Sequence, residues 1–440
     1  MTNFHFQTAL CVLVVALLVG AHSVIKPTAA APRHLVALSG QHSRGEVPGQ
    51  SDAFVNSIGV DSAFSYRGST YTREWPTISA ALIASGIKHI RDGGAPTPAY
   101  DQRMATLGAH GIRHAAAFNV GATLQSITST LTTFAPYIDF VEPQNEYDSL
   151  AAKSDPDWTS KIIAEQKTLY TTVHGNPAFS GITVLGPALA HQQLYAALGG
   201  LDQYEDAGNL HYASCDDNPG FGIPGRGLLK LHAMIRASTQ MKPIWTTEMG
   251  YNDHSPRLCG VPDDVIAKYD PRTSAERWNQ GEPRSYFFQL ADMPYDPVFG
   301  HMGLLHADGS PKPQFTALTS LIHVLTDAGP SFTPTPLQYA MSGDTQNVDH
   351  TLLQKRDGRY ELLLWLEVPS WKSDNHVNGT GRPINVPLQN IALTVPPSIT
   401  SAKVFRYGPD WKMTSTDVRI SGGSVHLNVS DMIAVVELKP

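Results

Sequence analysis

The sequence predicts a (β/α)8 barrel followed by a small all-β domain, which we expect to be a β-sandwich. Three observations lead to this prediction. Short apolar segments alternate with helical segments eight times between residues 55 and 328. Two of the apolar segments end in a glutamate, as strands do at the functional face of a barrel. After a Pro/Thr-rich boundary at residues 329–336, short alternating segments separated by turns predict all-β structure over residues 329–440.

The chain begins with a segment that we interpret as a signal peptide, residues 1–31. Residues 9–21 are apolar but too short to span a bilayer comfortably, and small residues follow them. The stretch before them holds no Lys or Arg, so a retained signal anchor stays an alternative. We expect a secreted protein, extracellular or periplasmic, with no stable membrane insertion after cleavage. Residues 32–54 are polar and interrupted by Gly and Pro, and we interpret them as a lead-in.

The barrel prediction rests on eight strand–helix pairs that together span about 270 residues, the usual size of this fold. Proline near a helix start, as at Pro76, and glycine at a helix end, as at Gly86, mark the boundaries. The predicted strands are residues 55–60, 87–91, 112–118, 138–144, 182–186, 209–212, 243–247 and 284–290. The predicted helices are residues 75–84, 98–109, 121–134, 156–174, 192–204, 228–240, 273–280 and 313–325.

Polar residues at the ends of the predicted strands form the candidate site, because parallel barrel strands present their carboxyl ends at one rim. Packing alone gives no reason to place two acids, an arginine, an amide and a tyrosine there. The candidate residues are Arg91, Asn145, Glu146, His211, Tyr212, Glu248 and Gln289. Two glutamates at the ends of two strands suit glycoside hydrolysis, in which one carboxyl protonates the leaving oxygen and the other attacks the sugar or stabilises the developing oxocarbenium ion.

Charge suggests a role for each candidate. Glu248 should be the ionised nucleophile, because Arg91 beside it would lower the pKa of its carboxyl. Tyr212 should donate a hydrogen bond to the same carboxylate. Glu146 should be the general acid and base, with its pKa raised by burial and by the negative charge of Glu248. Asn145 is positioned to bind a sugar hydroxyl.

Composition limits the possible partners. The 440 residues are 42% hydrophobic and 16% charged, with a formal net charge of −7, the balance of a folded globular protein. Since no Lys/Arg-rich run is present, nucleic acid is not an expected partner. No Cys/His cluster has the spacing of a zinc site, so we expect no metal, and we expect no cofactor. We expect a monomer whose partner is a carbohydrate substrate.

Two cysteines, Cys215 and Cys259, remain once the signal peptide is removed with Cys11. An even pair in an exported protein favours a disulfide, with two separately buried free thiols as the alternative. Both lie in loops that leave neighbouring strands, the sixth and the seventh. We expect the disulfide to join these loops beside the substrate cleft.

The strand ends resemble those of clan A glycoside hydrolases, with similar segments at residues 90–91, 142–146, 210–212, 244–250 and 303–313. The barrel followed by a β-sandwich is similar to families thirty, thirty-nine and fifty-one. This resemblance implies a retaining enzyme whose acid/base and nucleophile end strands four and seven. The chain departs from it in Gln144, where a tryptophan is common, and in lacking an obvious aromatic sugar platform after strand eight. The alternative is a non-catalytic carbohydrate-binding protein on the same scaffold.

Overall fold

In the computed structural model, the described residues are 45–93, 96–151, 154–220, 227–253, 259–296, 299–374 and 380–440. The predicted signal peptide, residues 1–31, and residues 32–44 of the predicted lead-in lie outside the described residues. Among the described residues, no helix combines the length and apolarity needed to cross a membrane.

A barrel of eight parallel strands forms the larger domain. The first strand among the described residues, β1 (Gly49–Gln50), belongs to the smaller domain described below. The barrel strands are β2 (Ile58–Asp61), β3 (His89–Arg91), β4 (Arg113–Ala117), β5 (Ile138–Glu142), β6 (Thr183–Val184), β7 (Gly208–Ala213), β8 (Ile244–Gly250) and β9 (Ser285–Phe287).

The eight barrel strands pair in the order β6-β5-β4-β3-β2-β9-β8-β7. Backbone hydrogen bonds join β6 to β7, from Gly186 N to Ala207 O and from Asp206 N to Val184 O, each 2.8 Å long. These bonds connect the two ends of the strand order and close the barrel. The predicted (β/α)8 fold is confirmed.

Helices surround the barrel. They are α1 (Ser51–Asn56), α2 (Thr70–Arg73), α3 (Trp75–Ser85), α4 (Pro98–Ala109), α5 (Leu124–Phe134), α6 (Tyr147–Ala151), α7 (Trp158–His174), α8 (Tyr195–Leu198), α9 (Leu228–Thr239), α10 (Asp263–Asn279) and α11 (Pro313–Leu325). Short 3-10 helices cover Pro177–Phe179, Gln192–Leu194 and Asp202–Tyr204.

Three elements differ most from the sequence prediction. Residues 51–56 form α1, and the first barrel strand follows it at 58–61 instead of beginning at 55. The helix predicted at 273–280 starts ten residues earlier, because the interior proline, Pro271, does not end it. The helix predicted at 192–204 is broken into short pieces, and Gly199 at φ 66 marks one of the breaks. Glycine adopts this left-handed conformation without steric cost.

Aromatic side chains fill the barrel interior below the candidate site. Phe140, Trp245 and Tyr286 are buried together, with ring centroids 5.5 Å apart for both the Phe140–Trp245 and the Phe140–Tyr286 pairs. Such edge and tilted contacts suit aromatic rings and exclude water from the barrel centre. The interior is therefore a packed platform on which the polar rim rests.

The smaller domain is all-β, as predicted. One sheet pairs its strands in the order β1-β11-β12-β19-β16-β17, a second in the order β10-β15-β18, and β13 pairs with β14. The strands are β10 (Ala340–Gly343), β11 (Val348–Gln354), β12 (Tyr360–Leu366), β13 (Trp371–Ser373), β14 (Gly381–Pro383), β15 (Gln389–Thr394), β16 (Ser401–Tyr407), β17 (Met413–Val418), β18 (Ser424–Val429) and β19 (Ala434–Lys439). Buried aliphatic residues of the two larger sheets form one core, as in a β-sandwich.

The β-sandwich also includes residues that precede the barrel in sequence. Gly49 pairs in parallel with Leu353 of β11, and Glu46 bridges to Leu337. Part of the segment predicted as a lead-in is therefore an edge strand of the second domain. The described residues thus begin in the β-sandwich, form the barrel and then return to the β-sandwich.

A buried carboxylate, Glu367, connects the two domains. The Arg272 guanidinium of α10, which is fully buried, contacts Glu367 Oε2 at 2.9 Å, and Trp365 Nε1 donates to the same oxygen at 2.8 Å. Glu367 Oε1 accepts from Asn218 Nδ2 at 2.5 Å and from Gly220 N at 2.8 Å. Since Asn218 and Gly220 follow β7, the β-sandwich directly contacts a loop at the carboxyl-terminal face of the barrel.

Candidate active site

Glu146 and Glu248 lie close together at the carboxyl ends of β5 and β8. Carboxylate oxygens of the two residues and Nδ1 of His211 all lie within 4.8 Å of one another. The two glutamate side chains are partly exposed, 16% for Glu146 and 21% for Glu248, so solvent and a ligand can reach them. The structure thus brings together the two acids that the sequence predicted as a pair.

The backbone of Glu146 is in the left-handed region, with φ of 42°. A non-glycine side chain rarely adopts this conformation, which costs of the order of 1–3 kcal/mol and clusters at functional sites. The residue occupies the sharp turn between β5 and α6, and this turn directs the Glu146 side chain towards His211 and the cleft.

Arg91 connects three side chains of the site. Its Nη1 donates to Glu248 Oε1 at 2.6 Å, its Nε to Glu142 Oε1 at 2.5 Å, and its Nη2 to Asn145 Oδ1 at 2.6 Å. The guanidinium fork suits such divided donation. Arg91 therefore lies against Glu248, as expected, and it orients the exposed Asn145 at the cleft.

A chain of hydrogen bonds runs from Glu142 to Glu146. Asn209 Nδ2 donates to Glu142 Oε2 at 2.7 Å, and Thr247 Oγ1 donates to Asn209 Oδ1 at 2.7 Å. His211 Nε2 lies 3.0 Å from Thr247 Oγ1, and His211 Nδ1 lies 2.8 Å from Glu146 Oε1. Together with Arg91, this chain links Glu248 to Glu146 through buried polar groups.

His211 also faces Glu248, at 3.6 Å from Nδ1 to Oε2. Burial lowers the pKa of the His211 imidazole, but the charge of Glu248 and the hydrogen bond to Glu146 outweigh burial and raise it overall. Arg91 opposes this rise. His211 thus lies between the two acids.

Asp61, at the end of the first barrel strand, is a site residue that the sequence analysis missed. It is buried, and its carboxylate lies 3.7 Å from Arg91 Nη1. Burial is the largest cause that raises the pKa of Asp61 well above its ordinary value; Arg91 opposes the rise, and the charges of Glu248 and Glu142 add to it. The strand-end rule that selected Glu248 would also have selected Asp61, had the strand been placed correctly.

Tyr212 does not take the position expected for it. It belongs to an apolar cluster with Leu210 and Ile235, and the Arg277 guanidinium lies over its ring at 5.3 Å. Its ring therefore faces the helices, because side chains alternate along a strand and His211 faces the barrel interior. At this strand end, His211 is the residue that faces both glutamates.

Gln289 is buried beside the site. Its Oε1 accepts a hydrogen bond from the Tyr71 hydroxyl at 3.1 Å, and its Nε2 donates to Phe299 O at 3.3 Å. These contacts place Gln289 among residues that support the loop after β9.

Two half-exposed tyrosines are aromatic groups that the sequence analysis passed over. Tyr66, 49% exposed, is in the loop after β2, and Tyr295, 50% exposed, is in the loop after β9. Partial burial raises the pKa of the Tyr66 hydroxyl, and the charges of Asp92 and Glu248 add to this rise, so Tyr66 lies within electrostatic range of Glu248. Each tyrosine follows a barrel strand by a few residues, and this spacing is the sequence pattern that could have identified both.

The loop that carries Tyr66 is held by a buried acid, Asp92. Its carboxylate accepts from Ser62 Oγ at 2.9 Å, from Phe64 N at 2.7 Å and from Ser65 Oγ. Burial raises the pKa of Asp92 to about 6, against these hydrogen bonds. The loop is therefore ordered although Tyr66 projects from it.

Cys215 and Cys259 form a disulfide, with their Cα atoms 5.1 Å apart. It joins the loops after β7 and β8, as expected. The Tyr251 hydroxyl adds a second connection by donating to Asp217 O at 3.0 Å. The loops that leave β7 and β8 are thus cross-linked, and the Asn218 contact with the β-sandwich supports the loop after β7.

Neither a protein-family model nor a curated protein matches the sequence. Solved structures do match the fold. A glucosidase from Croceicoccus marinus aligns with a TM-score of 0.61 at 10% identity, over 90% of this chain and 97% of that one. The fold is shared with glycoside hydrolases.

Two further structures align over both domains. The GH51 arabinofuranosidase from Xanthomonas axonopodis pv. citri gives a TM-score of 0.56 at 10% identity, covering 90% of this chain and 98% of that chain. A family 39 glycoside hydrolase from Bacteroides cellulosilyticus WH2 gives a TM-score of 0.52 at 16% identity, covering 89% and 83%. The resemblance drawn from the strand ends is confirmed for the fold.

Proposed function

We propose that the protein is a secreted retaining glycoside hydrolase that cleaves O-glycosidic bonds of a poly- or oligosaccharide by double displacement. The observation that carries this proposal is the separation of Glu146 and Glu248, whose nearest oxygens lie within 4.8 Å. Retaining enzymes hold their carboxyl groups about 5–5.5 Å apart, whereas inverting enzymes leave about 6.5–9.5 Å for a water molecule.

Glu248 acts as the nucleophile in this proposal. Its hydrogen bond from Arg91 holds the carboxylate on one side of the sugar. Attack on the anomeric carbon forms a glycosyl ester with Glu248 and breaks the bond to the leaving oxygen. Asn145, held by Arg91, is available to bind a hydroxyl next to the reacting carbon.

Glu146 acts as the acid in the first step and as the base in the second. It gives its proton to the leaving oxygen, and the resulting carboxylate then takes a proton from the water that hydrolyses the glycosyl ester. Ester formation removes the negative charge of Glu248, so a negative Glu146 is easier to hold in the second step. Export to an oxidising compartment is supported by the disulfide.

A screen of chromogenic glycosides with the parent protein and Glu248→Ala tests this function. The parent should release the chromophore from at least one glycoside with net retention, measured by NMR of the first-formed sugar, and Glu248→Ala should lose nearly all turnover. Inversion would overturn the assignment. Saturable sugar binding with no turnover by the parent would indicate the carbohydrate-binding alternative instead.

A further inference from the structure

Thr247 enters the barrel because of a local irregularity between β7 and β8. Leu210 pairs with Thr246, but the next residue, His211, pairs with Glu248, so Thr247 is an extra residue on β8. A bulge of this kind redirects a side chain. Thr246 contacts Arg277 of α10, whereas Thr247 reaches Asn209 and His211 inside the barrel.

Glu142 determines the direction of each hydrogen bond in the series that runs from Glu142 to His211. Glu142 is paired with Arg91 and offers only carboxylate oxygens, so Asn209 must present its amide N–H to Glu142 and its Oδ1 to Thr247. Thr247 has a single hydroxyl hydrogen, which it donates to Asn209 Oδ1. Thr247 Oγ1 must therefore accept from His211, which requires a hydrogen on Nε2.

From these directions we propose that Thr247 and Asn209 are positioning residues that hold neutral His211 as the Nε2–H tautomer, so that its Nδ1 keeps a proton on Glu146. An unprotonated Nδ1 has a lone pair directed at Glu146 Oε1, 2.8 Å away. A carboxylate there would face this lone pair without a proton between them. Protonated Glu146 instead donates to Nδ1, and this is the form that general acid catalysis needs.

Three charged groups lie around His211. Glu146 on the loop after β5, Glu248 on β8 and Arg91 on β3 face the imidazole. The proton shared by Glu146 and His211 can also move to Nδ1. An imidazolium then faces an ionised Glu146, and the Glu146–His211 pair still holds one proton for the leaving oxygen. The attacking water returns that proton in the second step, so the cycle closes with no net proton change.

The tautomer can be tested without substrate. Nitrogen-15 NMR of histidine-labelled protein, at a pH above the His211 titration, should show hydrogen on Nε2 of His211 in the parent. Thr247→Val removes the acceptor and should allow hydrogen on Nδ1. Hydrogen on Nδ1 of neutral His211 in the parent would overturn the proposal.

The consequence for catalysis rests on the proposed function and is measured by pH profiles. Thr247→Val should move the basic limb of kcat/KM down by about one pH unit, because the Nδ1–H tautomer stabilises ionised Glu146. Turnover of poor leaving groups should fall roughly 10- to 100-fold, while activated aryl glycosides, which need little acid catalysis, change by less than about threefold. Thr247→Ser, which retains the hydroxyl, should keep the parent profile.

Two further variants distinguish an effect of the His211 tautomer from a general loss of structure. Asn209→Ala leaves the His211 contact intact but frees the Thr247 hydroxyl to donate to Nε2, so it should move the basic limb in the same direction. Thr246→Val, on the adjacent position facing α10, should not move it. Equal profiles for Thr247→Val and Thr247→Ser would overturn the proposal. A parent without glycosidase activity would refute the proposed function, and the NMR result would still decide the tautomer.

Discussion

His211 Nδ1 lies 2.8 Å from Glu146 Oε1 and 3.6 Å from Glu248 Oε2, so one imidazole faces both glutamates. Arg91, by contrast, contacts Glu248 and Asn145 through separate nitrogens. Glu248 thus accepts from a guanidinium in addition to facing the imidazole, and environments that differ between two carboxyls can give them different roles. The following predictions test that division.

Replacing Glu146 by Ala should spare substrates with good leaving groups, because these depart without a proton. Azide should restore turnover by entering the space left by the carboxylate, and the glycosyl azide should keep the configuration of the substrate. The measurement is the product configuration by NMR. A glycosyl azide of inverted configuration from Glu146→Ala would show that Glu146 is the nucleophile and that the two roles are exchanged.

Replacing Arg91 by Lys should lower kcat/KM by on the order of 10²–10³, the usual loss for one stabilising donor at a reacting group. One ammonium cannot reproduce three contacts directed at Glu142, Asn145 and Glu248. Steady-state kinetics and urea unfolding would measure the effect on activity and on stability. Arg382→Lys, at an exposed position in the β-sandwich, is the control and should change neither.

Reducing the Cys215–Cys259 disulfide should raise KM more than it lowers kcat, because the bond cross-links the loops after β7 and β8, which we expect to bind the substrate. The bond spans 44 residues, and in the chain-entropy model its removal costs on the order of 4 kcal/mol of stability, less any strain. Kinetics of the double Cys→Ser variant at a temperature well below its unfolding midpoint would measure the split. A fall in kcat alone would contradict the proposed place of this bond in substrate binding.

Replacing Glu165 of α7 by Gln should stabilise the protein at alkaline pH. Burial, opposed by the backbone N–H of Gln144, raises the pKa of Glu165 to about 8. Between the ordinary carboxyl pKa and about 8, the folded chain holds a proton that the unfolded chain has lost, so the free energy of unfolding falls as pH rises.

Glu165→Gln should remove this fall, giving a gain of up to a few kcal/mol at pH values above about 8 and none near pH 4. Urea unfolding across this pH range measures the difference. Asp417→Asn, at a side chain that is 87% exposed, is the control and should show no comparable gain. A gain that is equal at all pH values would show that burial of a charge is not its cause.

Replacing Tyr66 by Ala should raise KM roughly 3- to 10-fold with little change in kcat, if an exposed ring beside Glu248 stacks on the substrate sugar. Tyr66→Phe keeps the ring and should resemble the parent. Met241→Ala is a control, since Met241 is 90% exposed and precedes β8, at the opposite end of the barrel. A KM for Tyr66→Ala equal to that of the parent would show that Tyr66 does not contact the substrate.

Some of this structure could be predicted because it depends on local pattern. The α4 and α11 boundaries agree with the sequence prediction at both ends, where proline begins each helix and the apolar spacing is helical. The strand-end rule selected five residues that the structure brings together, because the carboxyl ends of barrel strands meet at one rim. They are Arg91, Asn145, Glu146, His211 and Glu248. Tyr212 was misplaced because the rule does not say which of two consecutive side chains faces inward.

Residues distant in sequence could not be placed by pattern. Asn209 and Thr247 look like ordinary polar residues within strands, yet the structure joins them to Glu142 and His211. Residues 46–50 carry no strand pattern, and their partners lie near residues 337 and 353. Glu367 lies outside the barrel in sequence but contacts Asn218 on its catalytic face.

By itself, the sequence determined the alternation of strands and helices, the second all-β domain and the pair of glutamates at strand ends, because each depends on spacing along the chain. Only the tertiary structure decided that His211 lies between those glutamates and that Tyr212 faces the helices. The physical reason is register: the extra residue Thr247 shifts the pairing of β7 with β8, and pairing exists only once two distant segments are hydrogen-bonded.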